Sequence, residues 1–224
     1  MFLGHFGLAL AAKKVAPRTS LGTTVLAAEF ADVLWPLFLI LGWERVAIAP
    51  GITRMTPLNF VAYPWSHSLL MDLFWAAAFA AVYFAIRRYK AGTWVVAAGV
   101  LSHWVLDWAS HRPDMPVTPW SSEKYGLGLW NSVGGTVAVE LILFFGGLAI
   151  YLRRTGARDK TGQVALWSFV ALLVVIWASA TFGPPPPNVD TLKYSGLALW
   201  LTVAWGYWID RHRDLVKGEG QTSP

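Results

Sequence analysis

Apolar runs of about 20 residues recur along this chain, the length an α-helix needs to cross the hydrocarbon core of a bilayer. Lipid cannot satisfy backbone N–H and C=O groups, so such runs are compatible only with helices or a closed barrel. A barrel would show segments of alternating polarity, and none is present. Only 14% of the 224 residues are charged and 55% are hydrophobic, with a mean hydropathy of +0.46. Soluble domains carry about 25% charge, so this chain lacks the charge to cover a water-facing surface. The expected fold is all-α: a polytopic transmembrane helix bundle of about six spans plus an N-terminal re-entrant half-helix. One integral membrane helical domain is expected over residues 1–217, with a polar, disordered tail at 218–224.

Residues 2–12 are apolar but too short to cross alone, which suits a re-entrant segment. The expected spans are Leu21–Trp43, His67–Ile86, Thr93–Ala109, Val133–Leu152, Val164–Phe182 and Tyr194–Ile209. The charges of the first segment follow its apolar run, the reverse of a cleavable signal peptide, so it is expected to stay in the mature protein. Placing Lys13–Arg18, Arg87–Lys90, Arg153–Lys160 and the C-terminal residues on one side gathers 13 of the 18 Lys and Arg residues there. The positive-inside rule then puts both termini in the cytoplasm. Many of the 14 Trp residues, among them Trp43, Trp65, Trp120, Trp130 and Trp208, fall near span ends, as an interfacial belt requires. The net charge of +5 and pI near 9.6 come from those span-end groups, so nucleic acid is not an expected partner. Oligomeric state is left open.

Ionisable residues inside such spans are costly and mark functional sites by default. Gly99–Trp120 places His103, Asp107 and His111 at i, i+4 and i+8, on one helical face, with Asp114 just beyond. H-x-x-x-D sets a nitrogen and an oxygen ligand one turn apart. At about 1.5 Å per residue, His103 and Asp107 lie in the outer half of their span and His67 opens the preceding one. Asp32 sits midway along the first span, Glu29 one turn deeper, and His5 within the re-entrant segment. Residues distant in sequence thus fall in overlapping layers. Without cysteine, a metal would be held by His, Asp, Glu or backbone oxygen, which suits zinc, manganese, magnesium or iron. Each residue also has a plainer reading. His5 could bond a carbonyl, Glu29 and Asp32 could pair with Arg18 or relay protons, and His111 with Asp114 could cap the helix end. Asp72 and His212 carry the least functional signal.

Taken in order, Gly4-His5, Glu29 and Asp32 before Trp35-Pro36, Ser66-His67-Ser68-Leu69, and Ser102-His103 with Asp107 resemble a known family. It is that of the bacterial inner-membrane, membrane-bound metal-dependent hydrolases (YdjM-like). The resemblance covers about residues 1–140. The chain departs from it in having EFAD where P-D-x-D is usual and Ser66 where Thr is common. It implies a metal-dependent hydrolase, and the spacing is similar to distant zinc-dependent phospholipases C, an analogy only.

The first functional expectation is therefore hydrolysis of a lipid or amphiphilic ester or phosphoester by a metal-activated water in the bacterial cytoplasmic membrane. His5, Asp32, His67, His103 and Asp107 are the expected ligands of a divalent metal, zinc first and manganese or magnesium next. Glu29, Glu140 and His111 are the catalytic candidates, with Ser66, Ser68 and Asp114 supporting them. The alternative is a small proton-coupled permease using the intramembrane carboxylates, against which stand the short chain and the absence of an internal repeat. A metal-stabilised scaffold without turnover is a third reading. A type-2 phosphatidic acid phosphatase would show K-x6-R-P and P-S-G-H, and neither is present. No G-x-S-x-G elbow supports a serine nucleophile.

Overall fold

The computed structural model describes residues 1–216, so the tail expected at 218–224 lies outside the described residues. In chain order the elements begin with α1 (Leu3–Ala11), α2 (Leu21–Ala28) and α3 (Phe30–Ile40). A ribbon of β1 (Arg45–Ile48) and β2 (Leu58–Ala62) leads to α4 (Pro64–His67), α5 (Leu69–Arg87) and α6 (Lys90–Ser110). Next come β3 (Met115–Pro116), β4 (Lys124–Tyr125), α7 (Val133–Arg154) and β5 (Thr155–Ala157). The described chain closes with α8 (Lys160–Phe182), α9 (Val189–Gly196), α10 (Leu199–Arg211) and β6 (Arg213–Leu215). The strands form three antiparallel two-stranded ribbons, β1–β2, β3–β4 and β5–β6.

The helix starts are written in the sequence. The side chains of Ser20, Ser68, Ser132, Asp159 and Asn188 accept from backbone N–H groups at the starts of α2, α5, α7, α8 and α9, satisfying donors that a helix cannot pair internally. Among the described residues three helices, α5, α7 and α8, are long and apolar enough to cross a membrane, and α2 with α3 forms a fourth candidate bent by 58°. Of the six expected spans, three or four are thus supported. α6 has the length but falls short on hydropathy, and the last expected span is divided into α9 and α10, of 8 and 13 residues. The chain is nonetheless turned inside out relative to a soluble protein. Ile142 on α7 is 71% exposed and Val175 on α8 is 60% exposed, whereas His5, His103, Asp107 and Glu140 are buried.

α1 is the internal post of the bundle. Its nine residues extend about 14 Å, well short of the roughly 30 Å hydrocarbon thickness. It packs against α7, α2, α6 and α8, with Leu3, Phe6 and Leu10 wholly buried. Contact with α7 is backbone to backbone: a Cβ on Gly7 would strike the Leu143 carbonyl, and one on Gly147 would strike the Gly7 carbonyl. Small residues that let backbones meet are the usual device where lipid supplies no hydrophobic drive between helices. This packing carries His5 into the interior. α5 pairs with α6, and α2 packs on both α6 and α10. A separate apolar cluster of Leu39, Val46, Phe60, Tyr63 and Met115, with Trp35, Trp104 and Trp130 against it, joins α3 and the β1–β2 ribbon to the end of α6.

Candidate metal centre

Four segments converge on one buried point. α6 contributes His103 and Asp107 from the face predicted by their spacing, with His111 at its C-cap. The end of α4 contributes His67, and α3 contributes Asp32 just past the helix break. The fourth segment, α1, contributes His5. His67 Nε2 lies 3.3 Å from Asp32 Oδ1 and 3.8 Å from Asp107 Oδ2. His103 Nε2 lies 3.8 Å and 3.3 Å from the same two oxygens. His111 Nε2 is 3.5 Å from Asp107 Oδ2. Nitrogen and oxygen donors thus alternate around a ring.

Most of these separations exceed the 2.7–3.2 Å of a nitrogen–oxygen hydrogen bond. Donors about 2.1 Å from a tetrahedral zinc would be about 3.4 Å apart along each edge. The four measured edges therefore have the length of coordination-shell edges, and the donors close on one another as two sets of three. The orphaned atoms agree, since His103 Nε2 is buried and has no hydrogen-bond partner among the described residues. Atoms of Asp32, His67 and His103, and likewise of His5, His103 and Asp107, lie within 4.8 Å of one another, so either group could hold a metal ion.

The opposite ring nitrogens are fixed, each by a different device. His103 Nδ1 lies 2.7 Å from the Ala28 carbonyl, which can only accept, so in the neutral ring the Nε2 lone pair faces the cluster. That carbonyl is at the C-terminal end of α2, where a helix leaves its last C=O groups unpaired. The 58° break at Glu29 thus helps aim His103. His111 Nδ1 lies 2.9 Å from Asp114 Oδ1, which also accepts from Tyr63 Oη at 2.9 Å. Asp114 therefore holds His111 inside the cluster, where the sequence left open a role in capping the helix end.

His67 is set through a chain of three groups. Glu44 accepts from the backbone N–H groups of Trp65 and Ser66 through Oε1, and from Ser66 Oγ at 2.7 Å through Oε2. Ser66 Oγ is also 2.6 Å from His67 Nδ1. The hydroxyl has one proton, given to Glu44, so His67 Nδ1 must donate to it and Nε2 keeps its lone pair. Burial pushes the Glu44 carboxyl up from its ordinary value, opposed by His67 and by the Ser66 and Trp65 donors. Glu44 was missed from sequence. It follows the first span in a loop rich in Gly and Pro, with no periodicity linking it to His67; its one signal was lying beside a span end among few carboxylates.

The remaining candidates are placed as follows. His5 Nε2 is 3.1 Å from Asp107 Oδ1, its ring stacks on His103 at 3.9 Å, and its Nδ1 is buried without a partner among the described residues. The Met1 amino group also contacts Asp107. Glu140 Oε2 accepts from the N–H groups of Phe2 and Leu3 at 3.0 and 2.6 Å, which ties α7 to the start of α1. Glu29 is wholly buried at the helix break, and neither carboxylate oxygen has a partner among the described residues. Ser68 caps α5 through Met71 N–H and has no hydrogen bond to His67 among the described residues. Asp72, given little weight from sequence, is 1% exposed in the first turn of α5. His212 bonds Asp159 at 2.8 Å, far along the chain from the cluster.

The family model described as YdjM inner membrane protein matches residues 2–184. The chain belongs to that family. The match takes in every element that builds the centre and runs past the motif-bearing first 140 residues into α7 and α8. Family membership and the apolar helices together make this a membrane protein. No curated protein and no solved structure matches the chain.

Proposed function

We propose that this YdjM-family protein is a metal-dependent hydrolase embedded in the bacterial cytoplasmic membrane, acting on a lipid or amphiphilic ester or phosphoester. The observation that carries the reading is the ring of Nε2 and carboxylate oxygens spaced 3.3 to 3.8 Å apart, with three imidazoles locked from behind. Such outer partners raise ligand basicity and fix ring orientation at metal sites. Asp32, His67, His103 and Asp107 would hold the ion, with His111 and His5 beside them. A divalent ion there supplies polarisation of a carbonyl or phosphoryl oxygen and brings the pKa of water to about 7.

The protein's own groups do the rest. Glu29, buried with both oxygens unpartnered among the described residues, is the residue we assign to hold the proton given up by the attacking water. Glu140 anchors α1 with Oε2 and closes the site beside Phe2. The apolar cluster around Phe60 and Tyr63 packs against His111 beside the ring and limits water on that side, which strengthens the electrostatic interactions there, while the Asp32 side chain stays 26% exposed. In the topology we propose, α6 and α10 cross together with the four candidate spans and both termini are cytoplasmic, so the β1–β2 ribbon and the 111–132 segment lie on the outer side. The bilayer is the medium from which substrate arrives.

Zinc or manganese retained through purification, and hydrolysis of lipid esters or phosphoesters lost on chelation, are the expected results. His103→Ala and Asp107→Ala should abolish both. Full activity in these variants, or a purified protein free of metal yet active, would overturn the reading. The competing permease reading draws on the unpartnered Glu29 carboxylate. It predicts proteoliposome uptake that persists after metal removal.

A further inference from the structure

α5 begins two residues after His67, and its 19 residues carry the chain about 28 Å away from the metal centre. At its far end a cleft of about 320 Å³ is lined by Arg18, Tyr83, Ile86, Arg87 and Tyr89. Arg18 and Arg87 are both exposed, and neither is ion-paired with a described carboxylate, whereas Lys13, Arg112 and Lys193 are. No Asp or Glu occurs in residues 1–28 or 73–106, the stretches that meet at this cleft. Two guanidinium groups in one cleft repel each other, and an anion held between them reverses the sign of that interaction.

The two arginines are brought together by buried packing. Thr19 Oγ1 and Tyr83 Oη share a hydrogen bond of 2.9 Å, and both residues are buried. A Cβ on Gly92 would lie 2.4 Å from that tyrosine oxygen and 2.6 Å from Thr19 Oγ1, so the bare backbone of α6 makes room for the bond. The turn before α2, the end of α5 and the start of α6 are thereby pinned at one point, with Arg18 next to Thr19 and Arg87 one turn beyond Tyr83. The Arg18 guanidinium lies 4.1 Å from the centre of the Tyr89 ring. Stacking of this kind steadies the cation and leaves the N–H groups at its edge for an acceptor. The apolar wall is Ile86, 72% exposed, and Val82, 57% exposed, precedes it by about one turn. Phe79, Val82 and Ile86 recur at i, i+3 and i+7, so one apolar face of α5 runs from the cleft along the span.

We propose that this cleft binds the head-group phosphate of an anionic membrane phospholipid, with an acyl chain lying along the Ile86, Val82 and Phe79 face of α5. Arg18 and Arg87 donate to the phosphate oxygens, the bidentate geometry for which guanidinium groups are suited. In the topology proposed above, the lipid belongs to the cytoplasmic leaflet, where anionic head groups attract basic groups at span ends. Orientation by positive charge needs only that basic residues be on one side; it does not need two of them to line one cleft over a buried hydrogen bond. A free phosphate would use the guanidinium groups and leave the apolar face without a role. The site is separate from the metal centre and does not rest on the metal reading.

The test uses the full chain in detergent and three probes: dioleoylphosphatidylglycerol, dioleoylphosphatidylcholine and inorganic phosphate. Native mass spectrometry reads the affinity of the first lipid adduct. Phosphatidylglycerol should bind more tightly than phosphatidylcholine, whose choline offsets the phosphate charge. Arg18→Ala and Arg87→Ala should each weaken phosphatidylglycerol about fivefold, the worth of one basic group at an anionic membrane surface, and leave phosphatidylcholine unchanged. Both positions are exposed, so the thermal midpoint should stay near that of the parent chain. Arg153→Ala removes a basic residue outside the cleft, also exposed, and should change nothing. Equal affinity for the two lipids overturns the anionic assignment. A loss in Arg153→Ala equal to that in Arg18→Ala overturns the site in favour of general surface charge. Displacement of the lipid by an equal concentration of inorganic phosphate overturns the role of the apolar face. Unchanged phosphatidylglycerol binding in both cleft variants overturns the proposal. The measurement is repeated after chelation: an adduct that survives supports a separate site, and one lost with the metal overturns this proposal while leaving the metal reading in place.

Discussion

Ser66→Ala removes one oxygen, and with it the contact between Glu44 and His67. That oxygen is 2.7 Å from Glu44 Oε2 and 2.6 Å from His67 Nδ1, and Ser66 is wholly buried, so water has little access to replace it. Without its acceptor, Nδ1–H is unpaired, and the ring gains nothing by keeping the tautomer that presents the Nε2 lone pair. Loss of an outer-shell partner typically weakens a metal site 10- to 100-fold, about 1.4 to 2.7 kcal/mol. The leftover Nδ1–H and Glu44 Oε2 each add about 1–3 kcal/mol of destabilisation as buried unpaired groups. Two measurements separate these effects: zinc affinity by chelator competition in detergent, and thermal unfolding of the same samples. The expected outcome is a zinc Kd raised at least tenfold. Ser66→Thr, which keeps the hydroxyl, should restore most of it. Ser68→Ala is the control, because Ser68 is also buried but only caps α5. It should cost about 1 kcal/mol of stability and leave Kd within a few-fold. If Ser66→Ala binds zinc like the parent chain, or no worse than Ser68→Ala, the relay through Ser66 does not set His67.

Three further outcomes follow from the packing and the centre. Glu140→Ala leaves two N–H groups at the start of α1 without an acceptor and should lower unfolding stability by about 1–3 kcal/mol; an unchanged melting temperature with metal lost would assign Glu140 to the ion instead. Gly147→Ala drives a methyl group into the Gly7 carbonyl and should cost about 1–3 kcal/mol by overpacking, read as a lower thermal midpoint. The chain has no cysteine, so single cysteines report its orientation: Lys124→Cys in intact cells should react with an impermeant maleimide and Arg158→Cys should not. The reverse pattern would invert the proposed topology.

The membrane class followed from run length, because backbone pairing in lipid leaves a chain with such runs few choices. The face shared by His103, Asp107 and His111 followed from helical periodicity, which operates within one element and therefore shows in sequence. The layering of Asp32, His67 and His5 came from counting residues from span ends, and the structure brings all three beside that face. Span number did not follow as well. α6 carries the polar residues that make the centre, and those same residues lower its hydropathy. The last span looked continuous as a hydropathy run but is divided at residues 197–198, where a local average gives no sign of a break.

What only the tertiary structure decided is which atom of each residue faces the centre. His67 depends on Glu44, 23 positions earlier, and His103 on the Ala28 carbonyl, 75 positions away. Neither dependence has a periodicity, because the bonds cross between elements whose relative placement is set by packing. The helix break at Glu29 is a further example: it reads as a polar interruption in an apolar run, yet in three dimensions it helps position both a ligand carboxylate and the carbonyl that orients His103. Sequence alone determined that this chain crosses or lines a membrane and carries imidazoles and carboxylates at matching depths. Packing around α1, through the Gly7–Gly147 contact, determined that they meet, because only a backbone-to-backbone approach brings a nine-residue helix and its His5 deep enough to reach the others.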